Sequence, residues 1–258
     1  MSKLSDRLTN LGQAVPQKMG FGQVREKKRN PVVLIVGVVE SNGKTGPAGE
    51  FADIFLLRSK KGGKPATVKP DREGLWGVAI SDCTVGDLAS LKEAGCDFIL
   101  IESESASGAA LRDDGLGRGF VVPEGVTENR AQAIDDLPLD YLLLRGLSGK
   151  WPITVGGALD LQEKVSMFTK HIFLEINEAP SKEDLELLRD MTVSALVVDL
   201  GVQDAQELQA LKKAISELEP RKQRSELVAV LPANMQSSST AHSHDPEPDH
   251  QDDDDDES

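Results

Sequence analysis

The sequence predicts an α/β fold, a parallel barrel of (β/α)8 type with irregular connections. Three observations carry that prediction. Short apolar runs recur along the chain, most ending on a charged residue or a glycine. These runs are apolar at successive positions rather than alternating, which is how strands covered on both faces read. Helical segments separate most of them, and a succession of strand, helix, strand closes into a barrel whose strand C-termini share one mouth.

Taken in order, the strand signals are residues 35–40 (IVGVVE), 53–58 (DIFLLR), 77–82 (GVAISD), 97–102 (DFILIE), 119–124 (GFVVPE), 140–145 (DYLLLR), 151–156 (WPITVG), 170–175 (KHIFLE) and 194–199 (SALVVD). Nine signals are one more than an eight-stranded barrel uses, so one lies outside the barrel or the closure is irregular. The run at 151–155 is the first misfit by connection length, and 53–57 the next. Helices are expected at 85–94, 126–134, 158–168, 181–190 and 203–218, where apolar residues fall three or four apart. Ser181 followed by Asp184 resembles a capping arrangement, with acids in the first turn. Two connections break the pattern. The stretch SKKGGKPATVKPDREG after Arg58 is too rich in Gly and Pro for a helix. The GLSGK after Arg145 is too short for a crossover, which takes about ten residues or more. Crossover helices are therefore expected to be short or missing after both arginines. The bare strand backs would be covered by the N-terminal arm, by residues 226–232 (ELVAVLP) or by a second copy of the chain, so a homo-oligomer is expected.

The chain of 258 residues suits one such barrel with tails. Residues 1–31 form a basic arm with seven Lys/Arg against two acids, and Leu4, Leu8 and Leu11 lie at helical spacing within it. The barrel is expected over 32–236. Residues 237–258 read as a disordered acidic tail ending in five consecutive Asp before Glu257. The net charge of −14 argues against nucleic acid, which draws on a basic surface. Residues 1–31 lack the apolar stretch of a signal peptide, and no run approaches a membrane span. Only Cys83 and Cys96 occur, too few for a disulfide framework, so a reducing cytoplasm is the expected location.

If all strands run the same way, the mouth gathers Glu40, Asp82, Glu102, Glu124, Glu175 and Asp199 with Arg58 and Arg145. Clustered carboxylates raise one another's pKa unless a cation sits among them, which suggests Mg²⁺ held by Glu102, Glu175 and Asp199. Such an ion could polarise an oxo-acid carbonyl, with Glu102, Glu175 and Asp82 as candidate catalytic groups and Arg58 or Arg145 clamping the substrate carboxylate. The alternative is a salt-bridge ring of the same acids and arginines that only lines the mouth. Neighbouring strand residues alternate between the interior and the helices, so which acids face inward is open. No organic cofactor is expected. His171 opens its strand at the bottom of the barrel, away from the chemistry, and a histidine-ligated zinc or a histidine base is not expected. No lysine stands at a strand end, which removes support for Schiff-base chemistry.

Three smaller signals remain. Cys83, at the end of its strand and before a helix, is either a nucleophile activated by that helix or a small buried residue. Gly156 and Gly157 lead straight into a helix and offer free N–H groups to an anion, or else make only a tight turn. Asn42–Thr45 with Gly46 looks phosphate-binding but lacks the full spacing of a P-loop.

The segments PITVGGALDLQEKVSMFTKHIFLEI and PSKEDLELLRDMTVSALVVDLG, covering about residues 151–201, resemble the late βα units of the aldolase-type TIM-barrel superfamily, especially its phosphate-binding members. The resemblance implies that Gly156 and Gly157 match the first phosphate-gripping turn. The second departs from the pattern, because the next strands end in Glu175 and Asp199, where phosphate would need neutral donors. Two functions follow. One is a metal-assisted lyase or isomerase acting on a small anionic carboxylate or phosphate metabolite at the mouth. The other is a non-catalytic TIM-barrel-like binding or assembly protein. A fold alone does not choose between them.

Overall fold

The computed structural model describes residues 2–13, 29–40, 42–59, 68–145 and 151–221. Eight parallel strands close into a barrel in sequence order. They are β1 (Leu34–Glu40), β2 (Ile54–Arg58), β3 (Leu75–Ile80), β4 (Phe98–Ile101), β5 (Gly117–Val121), β6 (Tyr141–Leu144), β7 (His171–Glu175) and β8 (Val193–Asp199). The run at 151–155 is the strand signal that stays outside. Pro152 has no N–H for a ladder, and Thr154 instead caps the helix that follows.

Among the described residues six helices accompany the strands: α1 (Lys3–Thr9), α2 (Val85–Glu93), α3 (Glu128–Asp135), α4 (Val155–Ser166), α5 (Lys182–Asp190) and α6 (Ala205–Ser216). Their starts follow local chemistry. Thr84 with Asp87 and Ser181 with Asp184 form reciprocal capping boxes for α2 and α5. Because 151–155 is no strand, α4 itself is the crossover from β6 to β7, and the connection after Arg145 carries a helix after all. After Arg58 none is present among the described residues. The β1–β2 and β4–β5 connections hold only 3-10 turns, Pro47–Phe51 and Gly108–Leu111.

Burial separates the core into two layers. Inside the barrel lie Leu34, Val36, Val38, Ile54, Leu56, Phe98, Leu100, Tyr141, Leu143, Phe173 and Val197. Between strands and helices lies a second cluster that includes Val78, Ile99, Leu142, Leu161, Leu185 and Leu211. The interior is filled, with no room for a pore. Tyr141 stacks on Phe173 at 4.3 Å between ring centroids and meets Phe98 edge-on at 6.0 Å. Its hydroxyl donates to the Ile99 carbonyl at 2.9 Å. The rings fit because β3 and β5 carry glycine opposite them: a Cβ on Gly77 would overlap the Phe98 ring, and one on Gly119 the Tyr141 ring.

The helix α1 plugs the bottom of the barrel. Leu4 and Leu8 are fully buried in the interior cluster, and the compact unit runs Met1–Arg221, so α1 is integral to it. Residues 14–28 of the basic arm, the segment 226–232 and the acidic tail at 237–258 lie outside the described residues.

Candidate functional site at the barrel mouth

The site follows from a period of two. On β2 the inward side chains are Ile54 and Leu56, on β4 Phe98 and Leu100, on β6 Tyr141 and Leu143, and on β7 Phe173. The next inward positions toward the mouth are Arg58, Glu102, Arg145 and Glu175. They meet as a closed ring. Glu102 Oε1 lies 2.6 Å from Arg145 Nη2 and 3.2 Å from Arg58 Nε. Glu175 places Oε2 2.8 Å from Arg145 Nε and Oε1 3.3 Å from Arg58 Nη1. Each carboxylate holds both guanidiniums, and the four side chains are only 18–32% exposed. Arg58 Nη2 is buried and has no hydrogen-bond partner among the described residues.

The remaining candidates are not part of this ring. Asp82 follows an inward Ala79 by three positions, falls on the other parity and is exposed. Asp199 is exposed and accepts the Gly201 N–H at 2.8 Å, closing its own turn. Glu40 and Glu124 are exposed as well. Among the described residues no group of three or more His, Cys, Asp or Glu is placed to hold a metal ion. Gly156 and Gly157 do not follow a barrel strand but sit in the first turn of α4, where the Thr154 hydroxyl already accepts the Gly157 N–H at 3.1 Å.

Two other signals resolve into structure. In the phosphate-like loop, the Thr45 N–H and hydroxyl both donate to Asp71 Oδ1, at 3.1 and 2.6 Å. The loop's anion is a carboxylate of the chain itself, and the Thr45 hydroxyl holds the Asp71 pKa below its ordinary value. Cys83 is buried, and burial, with Asp82 and Asp87 adding to it, pushes its thiol pKa up, which is the reverse of a reactive thiolate. Burial drives Cys96 to about 12 while its Sγ donates to the Phe98 carbonyl at 3.2 Å.

At the opposite end the structure shows a site that sequence reasoning missed. The aspartates preceding β2, β4 and β6 hold α1 in place. Asp97 accepts the N–H groups of Lys3 and Leu4 at 2.9 and 2.8 Å, and Asp140 accepts the Ser5 hydroxyl at 2.9 Å. Asp53, 8% exposed, pairs with Arg7 at 3.4 Å and with Lys212 of α6 at 2.5 Å. The signal was the repeated Asp at the start of DIFLLR, DFILIE and DYLLLR.

No protein-family model matches the sequence, and no curated protein matches it. Solved structures do match in shape. Two are mutant forms of the tryptophan synthase alpha-subunit from the hyperthermophile Pyrococcus furiosus. One is 14% identical with a TM-score of 0.51, the other 15% identical with a TM-score of 0.50, and each alignment covers 72% of this chain and 97% of the other. At this identity the likeness shows the fold, a TIM barrel, and the fold alone.

Proposed function

We propose that this chain is a non-catalytic, TIM-barrel-like binding or assembly protein whose charged mouth is a structural closure. The observation that carries this reading is the ring: Glu102 and Glu175 are each held by both Arg58 and Arg145. A carboxylate whose oxygens are already taken up by two guanidiniums is a poor ligand for a hard cation. The donor set does not suit Mg²⁺, since an ion between Glu102 and Glu175 would meet both arginines, and Asp199 is engaged in its own turn. The test is thermal unfolding of wild type, Glu102→Gln and Glu175→Gln with and without Mg²⁺. Each variant should lose as much stability with Mg²⁺ as without it, because each leaves two guanidiniums sharing one carboxylate. A Mg²⁺-dependent rise in the wild-type midpoint that the variants lack would overturn the reading.

One observation favours the second reading, a lyase or isomerase for a small anionic metabolite. The buried Arg58 Nη2 lacks an acceptor among the described residues, and a carboxylate or phosphate oxygen would supply one. Inorganic phosphate and small oxo-acids would then raise the wild-type midpoint and leave Arg58→Met unmoved. No helix among the described residues is long and apolar enough to cross a membrane.

A further inference from the structure

We infer a second ligand site on the outside of the barrel, beside α3, for a small monocarboxylate with a compact apolar body. It begins with the connection from β4 to β5, whose only helical element is the 3-10 turn Gly108–Leu111. The local sequence there is Ser105-Ala-Ser-Gly-Ala-Ala110, all small side chains. A full crossover helix would fill the space between the strand backs and α3. These residues do not, and a cavity of about 290 Å³ remains. Its floor is the backs of β4 and β5 at Ile101 and Phe120, and its wall is α3 at Ala133 and Ile134. A mostly apolar cleft of this size suits a ligand that buries carbon surface.

The rim sets the head group. Arg130 of α3 lines the cavity together with Glu104, and the two are paired at 2.8 Å with side chains 55% and 49% exposed. An ion pair so exposed is weak, and a ligand carboxylate presenting two oxygens in the guanidinium plane can take the place of Glu104. Among the described residues Arg130 is the one cation on the lining. The displaced Glu104 stays at the rim and disfavours a ligand with a second negative charge, hence a monocarboxylate.

The inference rests on the reading of the chain as a binding protein, but its test does not touch the ring. Isothermal titration of the full chain would compare 4-phenylbutyrate with 4-phenylbutan-1-ol, against wild type, Arg130→Gln and Ala133→Phe. Wild type should bind the acid about tenfold more tightly than the alcohol, the usual worth of one charge-assisted contact. Arg130→Gln should remove that difference. Ala133 is exposed along one side of α3, so Ala133→Phe should fold normally by thermal unfolding while abolishing binding of both compounds. Absence of binding by wild type, or binding that Ala133→Phe leaves intact, would overturn the site. Light scattering that shows a concentration-dependent dimer lost in Ala133→Phe would also overturn it, by making a second copy the occupant. None of these outcomes depends on the Mg²⁺ response, so a failure here and a failure of the closed-mouth reading are told apart.

Discussion

Single side chains set the tightest limits. Gly119 is glycine because the Tyr141 ring occupies the space of its Cβ. Gly119→Ala should therefore destabilise the barrel by about 1–3 kcal/mol through overpacking, and Gly119→Ala in a Tyr141→Leu background should cost much less, a non-additivity that denaturant unfolding resolves. His171 is a second case. Burial lowers its pKa from 6.5, opposed in part by Asp140, and its Nδ1 lies 3.1 Å from the Ser194 hydroxyl. The folded state thus binds a proton less readily than the unfolded chain. Stability from this group is whole above the unfolded pKa of about 6.5 and is lost as pH falls from there toward the lower folded value. Replacing His171 with Gln should flatten that stretch of the stability profile, measured as unfolding midpoint against pH between about 7 and 5.

Among the elements, α1 is the one whose importance exceeds its length. Seven residues long, it would not form alone, yet it seals the barrel bottom with two fully buried leucines and is held by three strand-start aspartates. Leu8→Ala should cost about 2–5 kcal/mol. Asp97→Ala, which leaves two helix N–H groups without their acceptor, should cost about 1–2 kcal/mol. The start of α4 should behave in the opposite way. Gly156 is exposed within the helix, and a Cβ there meets nothing closer than 3.9 Å. Gly156→Ala should raise stability by about 0.5–1 kcal/mol, whereas a glycine needed for anion grip would show a loss of ligand response instead.

At the scale of the whole molecule, the ring ties β2, β4, β6 and β7 across the mouth while α1 ties β2, β4 and β6 across the bottom. Charges in one network couple. A double-mutant cycle of Glu102→Gln and Arg145→Met should give an interaction energy of about 0.5–3 kcal/mol, read from equilibrium unfolding. A value near zero would mean that the ring closes nothing. At the mouth, the usual seat of chemistry in this fold, the network balances its own two carboxylates against its two guanidiniums.

The barrel itself was legible in the sequence, since doubly covered strands must be apolar at successive positions and leave little else to infer. So were the ends of five helices to within a few residues, because capping and helical spacing are local. The strand-end charges were legible as a set, but their pairing was not: only the closed barrel fixes which parity faces inward, and that parity joins Glu102 and Glu175 to the arginines while sending Asp82 outside. The Gly156–Gly157 pair read as a strand-end turn because the preceding apolar run looked like a strand, and only the count of strands needed for closure moved it into a helix. The role of Asp53, Asp97 and Asp140 was hidden for the same reason. Their partners on α1 lie 46 to 135 residues away in the chain, and contacts that distant arise only when the tertiary structure brings the two ends of the sequence together.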